Sequence, residues 1–158
     1  MSKFVVWEYE DGRITTTHVN PGYTDPSQIE AVIVKVQGII ESESGSVIRH
    51  DYDPDLLPEP SDDQRFFNVW EWVGDAVVVN MPKARVLHMD AIRRVRNAEL
   101  AKLDITYMRA IEAGDTDAQA TIATEKQTLR DIPATFDLTT DVDTPAQLKA
   151  KWPAELPE

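Results

Sequence analysis

The chain has 158 residues, 42% of them hydrophobic, and a formal net charge of −12 at pH 7. This length suits one compact domain or two small units, and no apolar run approaches the roughly 20 residues that cross a bilayer. With no cysteine, disulfides, thiolate metal sites and cysteine nucleophiles are excluded, and the N-terminus lacks the apolar segment of a signal peptide, so we expect synthesis in the cytoplasm.

The first twenty residues have the pattern of a β-hairpin. Residues 4–10 are rich in β-branched and aromatic side chains, and residues 13–19 are rich in threonine. Between them stands Asp11-Gly12, a strong signal for a tight turn between two strands. We therefore predict two antiparallel strands joined at this dipeptide.

The next apolar segment is also typical of a strand. Residues 31–37 read Ala-Val-Ile-Val-Lys-Val-Gln, a β-branched run that favours extended structure. A further short strand is predicted at residues 46–50. Residues 51–63 hold six acidic residues and three prolines, which argues against a helix or a central strand and predicts an exposed loop.

Two more strands are predicted at residues 66–72 and 76–80, joined around Gly74-Asp75. Their aromatic and valine side chains supply area to bury. The first 80 residues are therefore expected to be mostly β.

The character of the chain changes at Met81-Pro82. Residues 82–103 are rich in Ala, Leu, Arg and Lys, and proline fits the first turn of a helix, so a long helix is predicted. At roughly 100° per residue, one narrow stripe of small and apolar side chains runs along it. The stripe suits packing on a sheet or on a second copy, and it consists of Ala84, Leu87, His88, Ala91, Val95 and Ala98.

Three shorter helices are predicted beyond it. The first shows a face of Ile105, Met108 and Ile111 and ends at Gly114. The second is capped by Asp115, is stopped by Pro133, and presents an apolar face of Ala118, Ile122, Leu129 and Ile132. The last follows the Thr144-Pro145 cap and runs through Trp152.

Strands thus precede helices, which predicts an α+β architecture. We expect a β-rich unit at residues 1–80, made of hairpins and a small antiparallel sheet, and a helical unit at residues 81–158. Charge is divided unevenly between these parts: residues 1–80 carry 5 basic and 15 acidic side chains, and residues 81–110 carry 7 and 3. Because the whole chain is acidic, general binding to nucleic acid is disfavoured.

The acidic loop is the densest cluster of possible metal ligands. The candidates are His50, Asp51, Asp53, Asp55, Glu59 and Asp62. Asp51, Asp53, Asp55 and Asp62 reproduce the acidic positions of a calcium-binding loop. However, the position that needs glycine holds Leu56, and the prolines restrict the wrapping of the loop. A solvated loop without metal is the favoured interpretation, with calcium binding as the alternative.

No enzymatic motif accompanies the titratable residues. His18, His50 and His88 fall on a predicted strand, a loop edge and a helix, and no nucleophile elbow, zinc-binding helix or phosphate-binding glycine loop is present. The basic patch is expected to pair with acids of the same chain or a partner, and it consists of Lys83, Arg85, Arg93, Arg94 and Arg96. We predict a protein that is not an enzyme and has no cofactor.

Three segments of the second half carry a resemblance to a known family. Residues 126–133 read Lys-Gln-Thr-Leu-Arg-Asp-Ile-Pro, residues 96–104 begin with Arg-Asn and end with Leu-Asp, and Trp152-Pro153 lies near the end. Together they resemble the C-terminal signature of bacteriophage tail assembly chaperones and tail-fibre assembly proteins. The match covers roughly residues 96–157, with gaps.

The resemblance implies a non-catalytic protein that acts through contacts with other phage tail or tail-fibre proteins, and with copies of itself. Two roles fit: a component of the virion tail, of the adaptor or fibre-attachment type, or a chaperone present in the host cytoplasm during assembly. It also implies a set of partner-binding residues, namely Arg96, Asn97, Leu100, Asp104, Gln127, Leu129, Arg130, Asp131 and Trp152. The alternative is a calcium- or glycan-binding module built on residues 51–63 and on Trp7, Trp70 and Trp72.

Overall fold

In a computed structural model the chain forms two compact units, Met1–Asn80 and Met81–Glu158. Small antiparallel sheets lie in the first unit and three helices in the second, which confirms the α+β class. The residues that the structure describes are 3–19, 25–53, 56–58 and 65–157.

A three-stranded antiparallel sheet forms the centre of the first unit. β1 (Lys3–Tyr9) and β2 (Ile14–Val19) make the predicted hairpin, in which Phe4 pairs with His18. β3 (Val47–Tyr52) pairs with the other side of β1, so the strand order is β2-β1-β3. The hairpin and the short third strand are confirmed.

The strand expected at residues 31–37 is wrong. This segment lies inside α1 (Pro26–Ser44), a helix of 19 residues, so the first unit is less purely β than its sequence indicates. The start of the helix is encoded locally, because the Asp25 carboxylate accepts a hydrogen bond from the Ser27 amide at 2.9 Å and Pro26 occupies the first turn.

Packing explains why β-branched residues become helical here. Ile33 is fully buried in one cluster with Val5, Trp7 and Val19 of the sheet. The other apolar residues of the helix that pack on this cluster recur at spacings of three and four, and they are Ile29, Val36 and Ile40. A strand has no such period, so the tertiary contact with one sheet face overrides the local preference for extended structure.

An ion pair also ties the helix to the edge of the sheet. Arg49 of β3 donates to the Glu30 carboxylate of α1 at 2.5 and 3.0 Å, and to Asp51 at 3.1 Å. The hydrogen bond to Glu30 holds the pKa of Arg49 above its usual range. Arg49 therefore remains charged and keeps the end of β3 close to α1.

The second hairpin of the first unit consists of β4 (Trp70–Val73) and β5 (Ala76–Val79). It agrees with the prediction except that Phe67–Val69 forms a 3-10 turn before the strand begins. The amide of Val77 donates to the Tyr52 hydroxyl at 3.3 Å, and Trp70 is buried. The hairpin is thus bonded to β3 as well as to itself.

The second unit is built along α2 (Met81–Ala113), a single helix of 33 residues. The separate short helix expected around Ile105 is wrong, because no residue between the two predicted segments breaks the helix. It ends as predicted, where Gly114 adopts a φ of +66°.

α3 (Thr116–Thr135) packs antiparallel against the second half of α2. The Asp115 carboxylate caps it by accepting from the Ala118 amide at 2.9 Å. It continues two residues past Pro133, which corrects the predicted end. Proline fits the helical φ and removes one backbone donor. At the end of the helix the Phe136 amide donates to the Ile132 carbonyl at 2.8 Å.

The outer side of α3 carries threonines that bond to their own helix. Each hydroxyl donates to the carbonyl four residues earlier, at 2.9 to 3.2 Å, and the residues are Thr121, Thr124, Thr128 and Thr135. Such bonds leave the methyl group as the outward part of the side chain.

The remaining segment packs along the first half of α2. It contains α4 (Pro145–Ala150), where Thr144 and Gln147 form a capping box. The helix ends before the predicted Trp152, because a residue that precedes a proline disfavours helical structure. Before α4, the hydroxyls and amides of Thr139 and Thr140 hold the pKa of Asp137 well below its usual range.

Candidate protein interaction surface

The two segments of the family resemblance meet across α2 and α3. Lys126 of α3 donates to the Asp104 carboxylate of α2, and its ammonium lies 5.1 Å from the centre of the Tyr107 ring. Asp104 was predicted to bind a partner, whereas here it forms an ion pair within the unit. These three residues hold the two helices in register, and 62% of the Asp104 side chain remains exposed.

The Arg96 end of the first segment lies nearer to solvent. Arg96 donates from Nε and Nη2 to the Asn97 side-chain oxygen, at 3.2 and 2.9 Å. Asn97 is exposed, while Arg96 and Leu100 are half-buried. Asn97 and the outer part of Arg96 are therefore accessible, and Leu100 contributes mostly to packing.

The second segment divides in the same manner. Leu129 is 4% exposed, so its side chain belongs to the interior of the helical unit and not to its surface. Gln127 donates to the Asp131 carboxylate at 2.8 Å, one turn along the exposed side of α3. Arg130 is exposed between them, and so Gln127, Arg130 and Asp131 form a polar surface that a partner can reach.

Trp152 has a structural role in this unit. Its indole Nε1 donates to the Pro157 carbonyl at 3.1 Å, and its ring lies edge-on to His88, with the centroids 5.7 Å apart. His88 is buried, and its Nε2 donates to the Lys151 carbonyl at 2.8 Å. These contacts hold residues 151–157 against α2, and the side chains of Pro153 and Leu156 are buried there.

The predicted stripe of small residues on α2 is covered within the unit over its first part. Ala84 and His88 are buried, and His88 bonds to Lys151 of the C-terminal segment. Arg85 donates to the carbonyls of Leu138 and Val142 of the same segment at 3.0 and 2.8 Å. The interpretation of this stripe as a surface for a second copy therefore does not hold at these residues. Ala98, its last member, is exposed.

A different face of α2 is uncovered. Between residues 94 and 112 the side that faces α3 holds the buried or half-buried residues Arg96, Glu99, Leu100, Leu103, Tyr107 and Ala110. The opposite side holds six exposed residues that lie within about 80° of arc, at 100° per residue. We name this set the outer stripe, and it consists of Arg94, Ala98, Ala101, Ile105, Met108 and Glu112.

Comparison of the chain with protein-family models, with curated proteins and with solved structures finds no match. Among the residues that the structure describes, no helix combines the length and the apolar character needed to cross a membrane. What the chain does must therefore be inferred from its own residues and their geometry.

The arginines of α2 follow the expected pairing in part. Arg93 donates to the Asp90 carboxylate at 2.8 Å, and Lys102 donates to Glu99 at 2.6 Å, each one turn along the helix. In each pair at least one of the two side chains is exposed to solvent, so each ion pair stabilises the helix only slightly. Arg94 donates to the Asp90 carbonyl at 3.4 Å, a long bond.

Of the acidic loop, the structure describes residues 51–53 and 56–58. Asp51 accepts a hydrogen bond from Arg49, and within residues 3–19, 25–53, 56–58 and 65–157 no three histidine or acidic side chains are placed to hold a metal ion. Asp55 and Asp62, two of the predicted calcium ligands, lie outside the described residues.

The tryptophans of the first unit are similarly occupied. Trp7 and Trp70 are buried, so neither ring can stack on a sugar. The half-buried Trp72 is stacked on His50, with the centroids 3.9 Å apart, and it meets the edge of Tyr52. One face of the Trp72 ring is therefore already covered by His50, and Tyr52 makes a second ring contact.

Each of the three histidines has its own contacts within its unit. His50 donates from Nε2 to the Glu8 carboxylate at 2.9 Å, His18 contacts Phe4, and His88 lies in the second unit. Sequence reasoning placed Arg85 only in the basic patch, and it did not identify Tyr107 or the outer stripe. The spacing of seven residues between Arg94, Ala101 and Met108 was the available signal for the last of these.

Proposed function

We propose that this protein is a non-catalytic bacteriophage tail-associated protein that works through protein contacts. Its partners are other phage tail or tail-fibre proteins and further copies of the chain. It acts either as a component of the virion tail, of the adaptor or fibre-attachment type, or as a chaperone that binds fibre subunits during assembly.

The observation that carries this proposal is the convergence of the resembling segments. Residues 96–104 and 126–133 are separated in sequence, yet the contact of Asp104 with Lys126 brings them together on one helical hairpin. In the same antiparallel register Gln119 donates to the Ala110 carbonyl at 3.2 Å. Continuing that register by one turn places Arg130 at the level of Leu100.

The chemistry of the exposed positions supports a role in contact rather than catalysis. Arg130 presents a planar donor group beside the Asp131 carboxylate, and Asn97 adds an exposed amide on α2. Charged and amide groups on rigid helices suit charge-assisted hydrogen bonds to another chain. Arg130 is the residue on which we expect recognition of a tail protein to depend most.

Two measurements test the proposal. Quantitative mass spectrometry of purified phage particles, compared with infected-cell extract, distinguishes the two roles: a fixed copy number in particles supports a virion component, and enrichment in extract with fibre subunits supports a chaperone. If the protein is absent from particles and does not co-purify with any tail or fibre protein, the proposal fails.

The second measurement uses variants of the exposed surface. Arg130→Ala is expected to weaken association with the tail partner about tenfold or more, because loss of one buried charged hydrogen-bonding group at an interface costs about 2 kcal/mol or more. Thr128→Ala, an equally exposed change on the same helix, is the matched control and should leave association unchanged. Equal affinity of Arg130→Ala and the unaltered protein would remove Arg130 from the interface.

A further inference from the structure

The outer stripe of α2 consists of two interleaved series. Arg94, Ala101 and Met108 are spaced by seven residues, and so are Ala98, Ile105 and Glu112. A seven-residue spacing on one side of a helix is the pattern by which two helices pack along a common seam. All six side chains are exposed, and the largest apolar ones, Ile105 and Met108, are 58% and 56% exposed.

The two series are complementary to each other when the helix is reversed. If an identical helix lies antiparallel with its midpoint at residue 103, each member of one series meets a member of the other. Arg94 then faces Glu112 of the second copy, and the small residues face the large ones, as Ala98 does Met108 and Ala101 does Ile105. Six layers result, each matched in charge or in size.

A parallel arrangement lacks this match. It would set Arg94 against Arg94 and Glu112 against Glu112 of the other copy, which is unfavourable for like charges. It would also place Ile105 opposite Ile105 and Met108 opposite Met108, and each alanine opposite the same alanine of the second copy. Charge and shape together therefore select the antiparallel orientation, which is an isologous contact with twofold symmetry.

We propose that a second copy of this chain binds along the outer stripe, so that the α2 helices of two copies pair in antiparallel orientation. This inference rests on the proposed function in one respect only, since both treat the helical unit as a surface that binds protein. Because self-association is measured on purified protein alone, its failure is distinguishable from absence of the protein in phage particles.

The expected contact is of modest size. Residues 94–112 span about 27 Å of helix at 1.5 Å per residue. One helix pair of this length buries less than the roughly 800 Å² per partner of a standard stable interface. The dimer is therefore expected to dissociate in the micromolar range, and higher concentration, as in a symmetric assembly, favours it.

Sedimentation equilibrium of the full chain, from ~1 to ~200 µM, measures the association. Met108→Lys keeps a residue that forms helix well, but it places a charge in two of the six layers of the dimer. We therefore expect the dimer to associate at least about tenfold more weakly. The control is Val86→Lys on the same helix, since Val86 is 59% exposed and lies outside the outer stripe. Its association constant should equal that of the unaltered protein.

Charge reversal tests the orientation. Arg94→Glu alone and Glu112→Arg alone should each weaken association several-fold, because each sets like charges together at two layers. The double variant should restore it. Circular dichroism checks that every variant keeps the same helix content.

Three results would overturn the inference. The first is a monomer at every concentration, which would leave the outer stripe to a different protein or to none. The second is equal weakening by Met108→Lys and Val86→Lys. The third is a double charge reversal that associates no better than the single variants.

Discussion

Replacing Ile33 by alanine tests the packing of α1 on the sheet. The side chain is fully buried against Val5, Trp7 and Val19, and the change removes three carbon groups, worth about 2.4 kcal/mol at ~0.8 kcal/mol each. The cavity left behind raises the cost, and the better helix propensity of alanine returns about 0.4 kcal/mol. We expect the free energy of unfolding of the first unit to fall by about 3 kcal/mol.

Urea denaturation followed by tryptophan fluorescence measures this loss. Of the four tryptophans, Trp152 alone lies in the second unit, so a Trp152→Phe background leaves signals only from the first unit. The matched control is Val34→Ala, at the next position, where the side chain is 57% exposed. Because alanine is the stronger helix former, the control is expected to be neutral or to stabilise by up to about 0.5 kcal/mol.

A strand at this position would respond differently to the two changes. If residues 31–37 formed a strand, neighbouring side chains would face opposite sides of a sheet, and Val34→Ala would remove a favoured strand residue. A loss below about 1 kcal/mol for Ile33→Ala, or a similar loss for Val34→Ala, would therefore refute the packing of α1 described above.

Three other outcomes are expected in denaturation experiments. Gly38→Ala should raise the free energy of unfolding by about 0.5 to 1 kcal/mol, since no heavy atom lies within 4 Å of the added Cβ. Gly45→Ala should lower it by about 1 kcal/mol or more, because Gly45 has a φ of +84°. Arg85→Met should cost about 2 kcal/mol by removing two charged hydrogen bonds, and the exposed Arg93→Met less than about 0.5 kcal/mol. The pKa of Asp137 is lower in the folded chain than in the unfolded chain, so this carboxylate adds stability above about pH 4. That stability is lost as the pH falls towards the folded-state pKa. Between pH 7 and pH 3, the free energy of unfolding should therefore fall less for Asp137→Asn than for the unaltered protein.

Local signals explain which elements the sequence predicts correctly. The Asp11-Gly12 turn, the Asp115 cap and the Thr144 capping box each specify backbone geometry within a few residues, and the structure has all three. The helical segment around residues 31–37 differs because its apolar side chains fit either period. Only contact with Trp7, far away in sequence, decides between them.

The candidate surface shows the same division. Sequence spacing put Leu129 on an apolar face together with Ile122, and that placement is correct, since both are buried. Assigning Leu129 also to a partner contact required knowledge of which side of α3 faces α2. Asp104 could not be recognised as an internal ion pair because its partner, Lys126, is 22 residues away and reaches it only when the hairpin closes.

The threonines of α3 have a consequence for how that helix meets water. Four hydroxyls bond to the backbone of their own helix, which leaves their methyl groups facing outward. Hydropathy scales that rank threonine as polar therefore overstate how strongly these side chains bind water. A neighbouring molecule that covered these four side chains would break no bond of their hydroxyls. Each of them therefore costs less to dehydrate than a threonine whose hydroxyl bonds only to water.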